Sequence, residues 1–386
     1  MSAITASIGA DASIANDASN GNSLWIRSRA WDLTWISGSA LLMVIPYASY
    51  YFGQAIGFAP DQARNAVNML IAFLIGGPHM YATHLRTTFD PEFRRRHPTI
   101  LIAALLIPAG VIFLGYNYFV LLLTFFFFWA SIHVLHQIVY LVDCYNGRQV
   151  KAPSFKSKVI DYAVVLTALY PEAMWRFTHN TFTVGKNLLY FPDFLKVSAT
   201  TRWYEIVPGN LVWMLSGIVF TAALALYISK TYQEFRTGQG NIPKTILISV
   251  TAVATFITPF FHELDVAFQG LNSWHSFQYL GLTWYINRLR YDRGERSKNL
   301  SIFARPGEWW RYYGFTVAMT VIAIGLIAGL IFTSPFTGLS FDQCYYMIVL
   351  SFLLTHYYHD HIIFTEQPDF NTVPSRSMGQ QFALDG

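Results

Sequence analysis

The sequence predicts an all-α protein, a polytopic integral-membrane bundle of about ten transmembrane helices. Three observations predict it. Of 386 residues, 53% are hydrophobic and only 12% charged, about half the charge of a soluble domain. The 32 Phe, 23 Tyr and 11 Trp make the chain 17% aromatic, more apolar side chain than one water-soluble core of this size hides. Apolar stretches of roughly 20 residues, enough to cross a hydrocarbon core about 30 Å thick, recur along the chain. Disorder, a coiled coil and a nucleic-acid-binding module are excluded as descriptions of the whole, so no nucleic-acid partner is expected.

The elements follow in order. Residues 1–24 are rich in Ala, Ser, Asn and Asp, with no basic residue and no apolar run. They read as a disordered tail, not a cleavable signal peptide. A single transmembrane bundle occupies 25–366, and 367–386 form a C-terminal tail. Spans are expected near 33–53, 65–85, 99–116, 118–142, 160–176, 208–230, 244–262, 266–286, 314–334 and 342–364. The third and fourth are separated only around Tyr116-Asn117, and Asp161 and Tyr162 sit at the start of the fifth. The aromatic-rich segment 177–207 forms a periplasmic or lumenal cap. There is no solenoid repeat and no Walker-type or dinucleotide glycine loop. The two cysteines, Cys144 and Cys344, give neither a disulfide framework nor a thiolate metal motif.

Charge orients the bundle. The amino terminus and the loops after even-numbered spans carry 21 of the 26 Lys and Arg, and Arg64, Arg176, Lys186, Lys196 and Arg202 are the other five. By the positive-inside rule both termini are cytoplasmic, in a multi-pass protein of a bacterial-type inner membrane. The basic loops FDPEFRRRHP and NRLRYDRGERSK read first as topology signals. They could also dock an anionic head group or a soluble electron donor at the cytoplasmic face.

Ionisable groups inside a membrane are expensive, so each needs a reason. Eight of the 11 His fall in spans that return to the cytoplasm: His79, His84, His133, His136, His275, His356, His359 and His361. His79, His133 and His356 lie about 14 residues in from the outer end of their spans, roughly 21 Å at 1.5 Å per residue. His275 is somewhat shallower. Helical phase places His133, His136, Tyr140 and Asp143 on one arc. It likewise groups His356 with His359 and Asp360, and His275 with Gln278 and Tyr279. His84 and His361 stand about 140° from His79 and His356, although Pro78 loosens the second span and lets His84 swing in. One buried His is ordinarily a hydrogen-bonded core residue; eight in one layer read as a metal centre in a helix bundle. Asp143 and Asp360 are candidate ligands or partners of ligands, while Gln278 and Tyr279 would orient ligand or substrate.

Without a thiolate, iron–sulfur clusters and structural zinc are disfavoured. Imidazole with a few carboxylates suits iron that activates dioxygen. Haem would use two of the eight His and copper about three, so the surplus favours one or two non-haem irons. His262-Glu263 lacks the second His of a zinc-protease helix and reads as a polar turn. The run Phe125-Phe126-Phe127-Phe128-Trp129 reads as lipid-facing packing or as the wall of an apolar tunnel.

The spacings His79-x4-His84, His133-x2-His136 and His356-x2-His359-x-His361 resemble the His boxes of integral-membrane fatty-acid desaturases and hydroxylases. No adjacent His-His pair is present, and the second box has two His rather than three. Pro78-His79, His133 with Asp143, His275-Ser276 and His356 are similar in order to motifs of the bacterial membrane β-carotene dioxygenases. Both resemblances imply a membrane non-haem iron oxidoreductase that uses O₂ on an apolar substrate. Hydroxylation, desaturation or C=C cleavage of a fatty-acyl or isoprenoid chain is the expected chemistry. The alternatives are a transporter with a His/Asp proton relay, and a haem electron carrier.

Overall fold

A computed structural model describes residues 24–149, 151–294 and 302–365. The expected tails, except Leu24, lie outside the described residues, as do Arg296, Lys298 and Arg376 from the charge count. The described chain is helical apart from one antiparallel pair of two-residue strands, Thr183–Val184 (β1) and Asn187–Leu188 (β2). That hairpin lies in the segment expected to form the cap.

The chain enters its first helical segment through a tight set of caps. Ser28 Oγ accepts from the Trp31 amide, and the buried Asp32 carboxylate accepts from the Ile26 and Arg27 amides and from the Tyr145 hydroxyl. The segment then winds irregularly: Arg29–Asp32 is α-helical, Leu33–Ser37 a π turn, Gly38–Met43 a 3₁₀ stretch and Val44–Ala55 regular α-helix (α1). The change of winding turns the Ile36 carbonyl outward. It accepts from Ser39 Oγ, Trp274 Nε1 and Gln278 Nε2.

Helix α2 (Pro60–Arg86) starts with Pro at its first position, where no amide partner is needed. A π turn at Ala72–Gly76 interrupts it just before Pro78. Pro78 has no amide hydrogen for the Leu74 carbonyl four residues back; the Tyr313 hydroxyl donates there instead, at 2.6 Å. Helices α3 (Thr99–Asn117) and α4 (Phe119–Asn146) follow, separated only at Tyr118. The expected fifth span is two helices, α5 (Phe155–Thr167) and α6 (Tyr170–Thr178). Pro171 near the start of α6 cannot donate back to Thr167, which accounts for the break. Then come α7 (Pro208–Arg236), α8 (Ile242–Phe260), α9 (Leu264–Asp292), α10 (Trp309–Thr337) and α11 (Phe341–Thr365).

Among the described residues six helices, α2, α3, α4, α7, α8 and α10, are long and apolar enough to cross a membrane. On α3, α7 and α10, rows such as Leu101, Leu105, Ile112, Leu215, Ile218, Ile322 and Phe332 are exposed, the surface a lipid-facing helix presents. Helices α9 and α11 are as long, at 29 and 25 residues, yet carry too many polar side chains to qualify by composition. The structure gives the reason: most α9 residues and half or more of α11 are buried against other helices, so their polar groups meet protein instead of lipid.

Asp161, which weakens the sequence signal of the fifth span, is fully buried. It pairs with Lys244 Nζ at 3.0 Å and with Lys230, while Lys244 also donates to Asn146 Oδ1. Lys230 and Lys244, read from sequence as topology signals, are therefore internal ion-pair partners joining α5, α7 and α8. Arg64 behaves similarly at the other end of the bundle, where it is buried and paired with Asp265 at 3.4 Å and Asp342 at 3.6 Å.

Candidate metal centre

Four of the predicted histidines converge. His79 on α2, His133 on α4, His275 on α9 and His356 on α11 are all buried, and one ring nitrogen from each lies within 4.8 Å of the others. Their rings stand edge-on, with centroids 4.4 Å apart for His79–His356, 4.9 Å for His79–His275 and His133–His275, and 5.1 Å for His133–His356. Asp360, one turn after His356, adds a carboxylate oxygen 3.4 Å from His356 Nε2 and 3.9 Å from His133 Nε2.

The hydrogen bonds behind these rings set which nitrogens face inward. His79 Nδ1 lies 2.9 Å from the Gly76 carbonyl and 3.0 Å from Ser276 Oγ. A carbonyl oxygen only accepts, so Nδ1 carries the proton and Nε2 keeps its lone pair. Ser276 passes its own proton to Asn272 Oδ1. His356 Nδ1 sits 2.6 Å from Thr83 Oγ1, whose proton goes to Asp360 Oδ1 at 2.9 Å. Thr83 therefore accepts from His356 Nδ1–H, and His356 Nε2 is left bare as well. The Tyr279 hydroxyl donates to the same Asp360 oxygen at 2.7 Å. His79 and His356 are thus held from behind by a carbonyl and by hydroxyls, the arrangement that orients metal-ligating His.

The inward atoms have little to bind among the described residues. His79 Nε2, His275 Nδ1, His356 Nε2 and Asp360 Oδ2 are buried without a hydrogen-bond partner. His133 Nε2 and His275 Nε2 face each other at 3.2 Å. Buried polar atoms are nearly always paired, and each unpaired one costs about 1–3 kcal/mol. One cation among the four Nε2 atoms and Asp360 Oδ2 resolves all of these but His275 Nδ1, which lies on the far side of its ring. The donor set fits a metal ion: neutral imidazoles, one carboxylate and no thiolate.

The other predicted residues lie elsewhere. His84 and His359 face one another, ring centroids 5.4 Å apart. His84 Nδ1 lies 2.9 Å from Thr88 Oγ1, and His359 Nδ1 lies 3.2 Å from Thr87 Oγ1. His136 and His361 make a separate pair at 5.5 Å, with His361 exposed. Asp143 is half-exposed at the end of α4, where it accepts from Tyr162 at 2.5 Å and from Asn146. Gln278 is fully buried but serves the backbone, donating to Ile36 O and accepting from Gln137. Tyr279 and Asp360 belong with the cluster. Thr83 and Gln137 were missed. Thr83 stands four residues after His79, on the same helix face, and that spacing was its only signal. Gln137 stands four after His133 and donates to the His275 carbonyl at 3.2 Å.

An apolar cleft with a cavity volume of about 70 Å³ runs beside the cluster between α2, α4, α9, α10 and α11. Gly76, Met80, Tyr81 and Tyr357 form its inner end. Gly76 accepts from His79, and the Tyr357 ring stacks on His133 at 3.9 Å. Gly77, also in the lining, lets Thr320 of α10 approach so closely that an added Cβ would stand 2.5 Å from its side chain.

Comparison with protein-family models, curated proteins and solved structures finds no match to this chain. Its functional reading therefore stands on the geometry just described.

Proposed function

We propose that this protein is a membrane enzyme that uses non-haem iron and O₂ to oxidise an apolar, lipid-like chain. One observation carries the reading: four imidazoles and a carboxylate, delivered by four helices, converge beside an apolar cleft whose lining residues Gly76 and Tyr357 touch His79 and His133. Iron bound there would supply dioxygen activation and the oxidation of a C–H or C=C bond. His79, His133, His275 and His356 would hold it, with Asp360 as a fifth donor. Gly76, Ser276 and Thr83 fix the tautomer and tilt of His79 and His356, so these two donors need no rearrangement on binding. Tyr357, Phe364 and Tyr279 pack around the rings and keep bulk water from the reacting carbon.

The same reading includes ten membrane crossings. The irregular segment together with α1, the α5–α6 pair, α9 and α11 join the six apolar helices, and both termini face the cytoplasm of a bacterial-type inner membrane. The basic bias of the sequence supports that orientation. The basic face would receive a soluble electron donor if the reaction is a hydroxylation or desaturation; a dioxygenase needs none. Against a haem carrier, rings with centroids 4.4–5.1 Å apart leave no room for a porphyrin between them. Against a proton relay, the four rings meet at one point instead of forming a file along the membrane normal.

Metal analysis of the purified protein with optical spectroscopy tests the proposal. Wild type is expected to hold iron stoichiometrically, His133→Ala and His356→Ala to lose it, and His84→Ala, His136→Ala and His361→Ala to keep it. Iron-free wild type, full iron in His133→Ala, or a Soret band would overturn it.

A further inference from the structure

The geometry points to how the substrate lies: we infer that the cleft holds a single extended apolar chain parallel to the membrane normal, its reacting segment innermost. This deepens the proposed oxidase reading and rests on it. The lining from α2 runs from Met69 to Tyr81 and that from α11 from Tyr345 to Tyr357. Each covers twelve residue steps, about 18 Å at 1.5 Å per residue. One leaflet of a bilayer core is about 15 Å deep. The cleft thus has the length of one lipid chain in one leaflet, and its width is bounded by Phe126, Phe127 and Phe268 behind and by α10 in front.

Its chemistry selects the same occupant. Most of the lining is aliphatic or aromatic, and several of its polar groups are already engaged. Asp265 pairs with Arg64, Gln269 donates to Asn68, Asn272 donates to Gln269, and Thr320 donates to the Thr316 carbonyl. They leave little to recruit a polar ligand. The half-buried Met69, Ala72, Ile324, Val349 and Leu353 mark the side open to the surface. Ile322 and Leu326, on α10 beside it, are exposed apolar residues, so what reaches the opening from a bilayer is lipid. At the inner end, Tyr81 has a buried hydroxyl without a partner among the described residues.

The probes are palmitic acids carrying a diazirine either at the terminal carbon or at mid-chain. They are photolysed on the full-length protein in phosphatidylcholine nanodiscs, and the labelled residues are read by peptide mass spectrometry. The terminal probe is expected to label the inner end, at Met80 or Tyr357, and the mid-chain probe Ile324 or Val349. Val349→Trp and Ile324→Trp, which narrow the cleft from opposite walls, should each reduce inner-end labelling by about tenfold without changing iron content. Wild-type labelling confined to lipid-facing positions such as Leu105 and Ile218 would overturn the inference, as would inner-end labelling that neither Trp variant reduces. Correct labelling of a protein that binds no iron would leave the channel standing and refute the oxidase reading alone.

Discussion

Removing one methyl-sized hydroxyl tests the metal-centre geometry most sharply. Thr83 is fully buried, and its Oγ1 lies 2.6 Å from His356 Nδ1, 2.6 Å from the Tyr279 hydroxyl and 2.9 Å from Asp360 Oδ1. Thr83→Val keeps the shape and deletes the hydrogen bonds. Tyr279 still donates to Asp360, so that carboxylate retains one partner. His356 Nδ1–H loses its acceptor and becomes a buried unsatisfied donor, at a cost of about 1–3 kcal/mol. Because the proton is then free to move to Nε2, the penalty falls on the tautomer that binds metal. At about 1.4 kcal/mol per factor of ten, iron affinity should drop roughly 10–100-fold, the range for residues that orient metal ligands. The assay is iron retention against a graded chelator in detergent, with Thr83→Ser as the control that restores the hydroxyl. Wild-type retention in Thr83→Val, or equal loss in Thr83→Ser, would refute the argument.

Two further outcomes test the scaffold. Asp161→Asn leaves the buried Lys244 without a counter-charge, hydrogen-bonded only to amide oxygens, so unfolding in detergent should show a loss of about 3–5 kcal/mol. Adding Lys244→Met should recover part of that loss; a loss below about 1 kcal/mol would mean the ion pair does not hold α5 to α8. Gly77→Ala drives a methyl group against Thr320 and should cost about 1–3 kcal/mol. Thr320→Ala in the same chain is expected to restore part of it, and an additive double mutant would show that the two helices do not touch there.

Composition made the helical membrane character legible because hydropathy reports lipid-facing surface directly, and α3, α7 and α10 carry most of it. The same measure fails for α9 and α11, whose surroundings are protein. The layer of His was legible from depth alone for His79, His133 and His356. His275 looked shallow by residue count, yet its ring completes the cluster. Helical phase was too coarse to divide the His into groups. His133 and His136 differ by about 60° of rotation, enough for one ring to enter the core while the other turns to His361 and Phe364. The same small rotation takes His359 from the cluster to His84. Asp143 lies ten residues beyond His133 at the end of α4, where the phase agrees but the level does not. Thr83 escaped notice because a threonine in a helix is ordinary until its neighbours from α9 and α11 are known.

The outward-turned carbonyl of Ile36 also constrains how the chain is made. Its donors Trp274 and Gln278 lie 238 and 242 residues later in the sequence. At about 5–20 residues per second, synthesis separates acceptor from donors by roughly 12–50 s. Through that interval only the local Ser39 hydroxyl meets the Ile36 carbonyl. On the proposed ten-crossing reading the first segment reaches its final packing only once α9 emerges, so a late helix decides when the first one settles.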